Sequence, residues 1–263
     1  MILSDAEVAV AAAEAGAAVV RRYYGGPVEH HAKSHRDFAT TADLEAERAI
    51  LAVIRAHRPD DGFLGEEGGH SGPDGDRLWL VDPLCGTLNF AVTTPLVAVN
   101  VALRTAAAEV TAAASADPLA GELFWTDGTG AWLRRNGLDS PLRPSGESLL
   151  VDVNLDPPFP NSALFRATTL LADPEFIEGF GPRVLSTTLA VAWVAAGRRA
   201  AYVTDGHFAD SVHFAAGLAI CRAAGAVVTG IHGQPLHTGI GGLLIAADAA
   251  THAELLRLVR KQG

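Results

Sequence analysis

The stretch Trp79-Leu80-Val81-Asp82-Pro83-Leu84-Cys85-Gly86-Thr87-Leu88-Asn89-Phe90 constrains the fold more than any other part of the chain. Residues 78–81 read as a short buried strand. That strand runs into an acid, then into a proline, which forces a turn and donates no backbone hydrogen bond. Gly-Thr follows and can open a helix.

The surrounding pattern predicts how the rest is arranged. Ser4 is placed to cap a helix over 5–23 that Gly25-Gly26 ends, and Thr40-Thr41 to cap a second over 43–57 that Pro59 ends. Residues 63–64, 98–104, 110–114, 122–126 and 131–135 read as strands, punctuated by Asp117-Pro118, Asp127-Gly128 and Asn136-Gly137. From Leu149 strand and helix alternate. Strands are expected at 151–154, 200–204, 226–229 and 242–246, and helices at 161–171, 186–196, 214–224 and 250–261. Antiparallel strands first and alternation afterwards predict a layered α/β architecture. It is expected as a single unit of 263 residues with halves at 1–148 and 149–263.

Composition sets outer limits. With 49% hydrophobic but only 6% aromatic residues, Ala, Val and Leu must build most of the core. Twenty basic against thirty acidic residues give a formal charge of −10, with no basic run interleaved with aromatics, which argues against nucleic acid as a partner. Glu7 and Glu14 interrupt the apolar residues 6–20, so this segment reads as an amphipathic helix rather than a signal peptide, and no apolar run is long enough to cross a bilayer. Cys85 and Cys221 do not make a disulfide framework, so a reducing cytoplasm is expected.

Several short motifs, in order along the whole chain, resemble the inositol monophosphatase family. They are Lys33 with Asp37-Phe38-Ala39-Thr40-Thr41-Ala42-Asp43, then Gly65-Glu66-Glu67, then Asp82-Pro83-Leu84-Cys85-Gly86-Thr87. The late elements are Ala215-Ala216-Gly217 and Arg222 through Thr229. The resemblance implies an alternating α-β-α-β-α sandwich, a homodimer, and carboxylates converging on Mg²⁺, a hard cation that takes oxygen ligands. Carried over by position, Glu66, Asp82 and the Leu84 carbonyl match metal ligands, and Asp43 and Thr87 match the residues that position water. The backbone amides of Gly86 and Thr87 match the phosphate cradle.

Two positions depart from the family pattern. Cys85 stands where the family has its second aspartate, and His213 where it has the aspartate of Trp-Asp-x-Ala-Ala-Gly. The resemblance implies that both belong to one metal, so Asp82, Cys85 and His213 are expected to meet. Thiolate and imidazole are poor Mg²⁺ ligands. The leading expectation is therefore a metal-independent enzyme with no cofactor, acting on a small or carrier-bound acyl substrate by acyl transfer, thioester hydrolysis or Dieckmann-type cyclisation. Cys85 would be the nucleophile, His213 the base and Asp82 its orienting partner, with the Gly86 and Thr87 amides holding the oxyanion. The Cys85 pKa is expected to fall, through a helix start and a neighbouring imidazolium. One alternative is a Mg²⁺-dependent phosphatase of a small sugar, inositol or histidinol phosphate. Another is Zn²⁺ at Asp82, Cys85 and His213, and a last one an inactive binding protein. Cys221 reads as a small buried hydrophobe, His30, His31 and His35 as solvated surface, and Arg198-Arg199 as a solvated turn.

Overall fold

Helix α1 (Asp5–Tyr23) begins where the Ser4 hydroxyl accepts from the Glu7 amide and the Glu7 carboxylate accepts from the Ser4 amide, a reciprocal capping box. The computed structural model in which this is seen describes residues 2–34, 37–106, 109–155, 167–205, 211–236 and 241–262. Contacts divide the chain into two units. The first is Met1–Pro141 with Thr187–Leu189 and Val212–Ile220; the second is Leu142–Ser186, Ala190–Ser211 and Cys221–Gly263.

In the first unit, α1 is followed by a polar hairpin of β1 (His30–Ser34) and β2 (Asp37–Thr40), then by α2 (Thr41–His57). Next come β3 (Gly62–Gly65), β4 (Gly69–Ser71), β5 (Arg77–Cys85), the short α3 (Thr87–Ala91), β6 (Ala98–Thr105) and β7 (Val110–Asp117). The last strands of the unit are β8 (Glu122–Thr126), β9 (Ala131–Arg135) and β10 (Leu138–Pro141). Eight strands form one sheet in the order β10-β9-β8-β7-β6-β5-β3-β4, antiparallel throughout except for the parallel pair β3–β5.

One face of this sheet carries Trp79, Val81, Val99, Val101 and Ala114, and α1 and α2 bury Val8, Ala12, Ala46, Ile50 and Ile54 against it. Each fully buried side chain of Ile size contributes about 1.5–3 kcal/mol. The opposite face carries Leu80, Ala102 and Ala113, covered by Ala216 and Ala219. Those two residues lie on the first half of α7 (Ala215–Ala224).

The second unit has its own sheet and core. Its elements besides the remainder of α7 are β11 (Leu150–Val153), α4 (Ala167–Leu171), α5 (Pro174–Gly179), β12 (Gly181–Val184), most of α6 (Leu189–Ala195), β13 (Ala201–Thr204), β14 (Val227–Thr229), β15 (Leu243–Ala246) and α8 (Ala249–Lys261). The strand order is β12-β11-β13-β15-β14, with β11 parallel to both its neighbours and β15 antiparallel to both of its own. Val151, Val153, Val203 and Leu244 pack with Leu255, Leu258 and Val259 of α8. Arg199 is not a solvated turn: its guanidinium bonds the buried Asp152 at 2.8 Å and lies over the Trp193 ring.

The mixed α/β layering matches expectation, and most elements fall within one or two residues of their expected bounds. Several elements carry no apolar periodicity and escape a sequence reading, among them β1, β2 and β10, the last exposed at every position. Residues 161–166 of the expected helix 161–171, and His35, lie outside the described residues. His30 is exposed, as expected, and stacks on Phe38, while His31 is half-buried and contacts the Thr41 hydroxyl.

Candidate functional site

The strand β5 does not stop at Val81 but continues through Pro83 to Cys85, and its pairing slips on the way. Asp82 faces Asn100 on β6, and Cys85 faces Ala98, so three steps on β5 match two on β6. This bulge has a direct consequence for chemistry. Residues 82 and 85 would point to opposite faces of a regular strand, because side chains alternate. One extra residue returns Cys85 to the face of Asp82.

Other elements bring the remaining groups to this point. The parallel register pairs Gly65 with Val81, so Glu66 follows β3 beside Asp82, and its amide bonds the Val81 carbonyl at 3.0 Å. Ala216 and Ala219 seat α7 on Leu80 and Ala102, which sets His213, just before the helix, over the same face. Gly86 turns the chain with φ +95, and a Cβ there would lie 2.8 Å from the Leu96 carbonyl oxygen, so only glycine fits. Thr87 then opens α3.

His213 Nδ1 lies 2.7 Å from Asp82 Oδ2 and 3.7 Å from Glu66 Oε2. The donor atoms of Asp82, Cys85 and His213 all lie within 4.8 Å of one another, and these are three of the residues expected to meet. Asp82 is fully buried, Cys85 is half-buried, and the His213 side chain is 43% exposed. Asp82 Oδ1 also accepts from the Leu84 amide at 3.2 Å.

A second cluster adjoins it. The Thr87 hydroxyl lies 3.0 Å from Asp43 Oδ1 and 3.2 Å from the Leu84 carbonyl oxygen. Asp43 also accepts from the Thr40 amide at 2.8 Å, so the residue that closes the capping box of α2 holds Thr87 as well. The two clusters contain all the expected site residues: Asp43, Glu66, Asp82, Leu84, Cys85, Gly86, Thr87 and His213.

Sequence reasoning missed four supporting residues, Glu47, Asn100, Ser115 and Thr188, and gave no role to a fifth, Lys33. Glu47, one turn beyond Asp43 on α2, accepts from the amides of Glu67 and Gly68 at 2.8 and 2.7 Å and so fixes the turn that carries Glu66. An i, i+4 pair of acids on one helix face was the available signal. Lys33 reaches Glu67 at 2.6 Å and Glu66 at 3.2 Å. Behind Cys85, Ser115 donates to Asn100 at 2.7 Å and Asn100 donates to Thr188 at 2.9 Å, and the Thr188 hydroxyl favours the ionised form of the Cys85 thiol.

The charges follow from this crowding. Burial, then the neighbouring Asp82 charge, pushes Glu66 up to about 8. Burial opposes the ionisation of Asp82, but His213 outweighs it and holds the carboxyl below its usual range. Burial likewise opposes a charged His213, and the Asp82 carboxylate reverses that, raising its pKa despite the partial exposure of the ring. The Cys85 thiol is pushed up to about 11, by burial first and the Asp82 charge second. The expected fall in the thiol pKa is therefore corrected. The imidazolium is close, but burial and the opposing Asp82 charge outweigh it, and a five-residue helix supplies little dipole.

Residues 3–263 match the model of the inositol monophosphatase family. An inositol-1-monophosphatase of Caulobacter vibrioides is 31% identical over 240 residues, covering 87% of this chain and 89% of its own length. The Nus factor SuhB of Salmonella typhimurium is 37% identical over 261 residues, covering 95% and 94%. The crystal structure of the extragenic suppressor protein suhB from Bartonella henselae superimposes with a TM-score of 0.85 at 28% identity, over 97% of this chain and 98% of that one. These findings overturn the expectation of a cofactor-free Cys85–His213–Asp82 acyl-transfer or cyclase enzyme, since the family is one of metal-dependent phosphatases. The raised thiol pKa supplies a physical reason, because a protonated sulfur is a weak nucleophile. Among the described residues no helix is long and apolar enough to cross a membrane.

Proposed function

The chain belongs to the inositol monophosphatase family, and on that premise we propose that it hydrolyses a small sugar, inositol or histidinol phosphate with Mg²⁺ held by Glu66, Asp82 and the Leu84 carbonyl. One observation carries this reading. Two carboxylates, Glu66 and Asp82, are crowded until one of them keeps its proton to about pH 8, beside a threonine–aspartate pair anchored to the Leu84 carbonyl.

The donors divide into two sets. Carboxylate and carbonyl oxygens suit a hard cation, and a divalent ion would relieve the repulsion that raises Glu66. Cys85 and His213 do not suit Mg²⁺, so no step is assigned to a second magnesium there. When bound, the ion supplies charge neutralisation at the phosphoryl oxygens and lowers the pKa of water.

The chain's own residues do the rest. The Thr87 hydroxyl, held between Asp43 and the Leu84 carbonyl, orients the attacking water. Asp43, whose pKa is raised by burial, is the base that takes the proton passed through Thr87 Oγ1. The Gly86 and Thr87 amides face the phosphate at the start of α3. Glu47 and Lys33 hold the turn that presents Glu66.

Phosphate release from a panel of sugar, inositol and histidinol phosphates, with Mg²⁺ and with EDTA, tests the proposal. Release that requires Mg²⁺ and falls at least ~100-fold in Asp43→Asn is expected. Release unaffected by EDTA, or none from any substrate, would overturn it.

A further inference from the structure

We infer that Asp82, Cys85 and His213 form a site for a borderline divalent cation of the zinc class, distinct in chemistry from the oxygen-lined magnesium site beside it. A carboxylate, a thiol and an imidazole supply O, S and N donors, the mixture that zinc accepts and magnesium does not. Tetrahedral zinc bonds of 2.0–2.3 Å place ligand atoms about 3.3–3.7 Å apart. The three donor atoms here already lie within 4.8 Å of one another, so closing on an ion takes movements of about 1 Å. His213 Nδ1 and Asp82 Oδ2 stand closer than that, at 2.7 Å, because a shared proton occupies the place an ion would take. Three protein ligands leave a fourth position open, and the exposed side of His213 is where solvent or substrate would fill it.

The second observation lies behind the sulfur. Asn100 Oδ1 only accepts, so Ser115 must donate to it; Asn100 Nδ2 only donates, so Thr188 must accept from it. The Thr188 proton is then not used by Asn100, and the hydroxyl favours the Cys85 thiolate. Ser115, Asn100 and Thr188 are all buried, and Asp82, Asn100 and Ser115 face one another in register across β5, β6 and β7. This row of polar groups in an alanine-rich sheet turns the sulfur into an acceptor, the role that a thiolate ligand plays. A cysteine that had merely drifted into the site would need no such chain. Outer partners of this kind orient ligands and tune their affinity. The raised thiol pKa does not stand against the inference, because coordination displaces the proton directly. Binding sends one proton from Cys85 and one from His213 to solvent.

The test uses cobalt as a spectroscopic stand-in. The full chain is treated with chelator and titrated with Co²⁺ while near-ultraviolet and visible absorption are recorded. A thiolate-to-cobalt charge-transfer band that saturates at one equivalent, is bleached by Zn²⁺ and survives a large excess of Mg²⁺ is expected. Cys85→Ser should lose the band, which also excludes Cys221 as its source. Thr188→Val should weaken cobalt binding about 10–100-fold, and Thr188→Ser, which keeps the hydroxyl, should restore it. His213→Ala, at a partly exposed position, provides a second variant should Cys85→Ser not fold. Its visible bands should shift and its affinity should fall. Absence of the band in the wild type, or a band unchanged in Cys85→Ser, would overturn the inference. Magnesium-dependent phosphate release followed on the same samples separates the two readings: its absence with the cobalt band intact counts against the phosphatase alone.

Discussion

The two sides of Asp82 are built from opposite chemistry on one sheet. Toward Glu66, Leu84 and Asp43 every donor is oxygen, and two carboxylates press together. Toward Cys85 and His213 the donors are sulfur and nitrogen, and the charges of Asp82 and the imidazole are already balanced against each other. Hence the oxygen side gathers carboxylates that a hard cation would balance, whereas the other side holds a proton between Asp82 and His213 that a softer cation would displace. What each side recruits depends on the type of donor it presents as well as on the charge its side chains leave uncompensated.

The largest effect should come from breaking both sides at once. Asp82→Asn removes the shared carboxylate, and phosphate release should fall about 10³-fold or more, beyond the 10–100-fold typical of outer partners. A smaller loss in a steady-state assay would mean that the two sides do not depend on a common anchor. Thr87→Val acts on the oxygen side alone. Turnover should drop about 10–100-fold with the cobalt band untouched. A lost band would show that the sides are coupled through α3.

The double variant Cys85→Asp with His213→Asp converts the second side to oxygen. Calorimetric titration should then detect a second Mg²⁺, and cobalt should give no charge-transfer band. A protein that still binds one Mg²⁺ would show that donor type is not what separates the sides.

The smallest effect concerns protons. Glu66 is raised to about 8 from an ordinary 4.5, so in chelated protein the folded state holds a proton that the unfolded state has released. Stability from this group is complete below about pH 4.5 and declines as pH rises toward 8. Urea midpoints of metal-free protein should fall across that window, and Glu66→Gln should flatten the slope. Saturating Mg²⁺ should flatten it too, by favouring the ionised carboxylate.

Much of the oxygen side was legible in the chain. Thr40-Thr41-Ala42-Asp43, Gly65-Glu66-Glu67 and Asp82-Pro83-Leu84 are compact motifs whose spacing follows from local turns and caps. Cys85 and His213 were also recognisable, as departures from an expected pattern. The slip in pairing between β5 and β6 could not be read, because a bulge depends on what the neighbouring strand does. Nor could Ser115, Asn100 and Thr188, which are ordinary polar residues until register places them in line. The direction of the thiol shift was misjudged for a related reason. Sequence suggests a neighbour's charge, but depth of burial comes only from packing.

The bulge in β5 also determines what can change at little penalty. Its pairing slip is made by backbone hydrogen bonding rather than by the side chain at position 85. Residue 85 is half-buried at the site and is not part of the core packed under α1 and α2, where volume changes are costly. The strand therefore works like a socket in which the donor atom can be exchanged while the frame keeps its shape. In such a frame the chemistry of the site can alter by single residue changes, without rebuilding the protein around it.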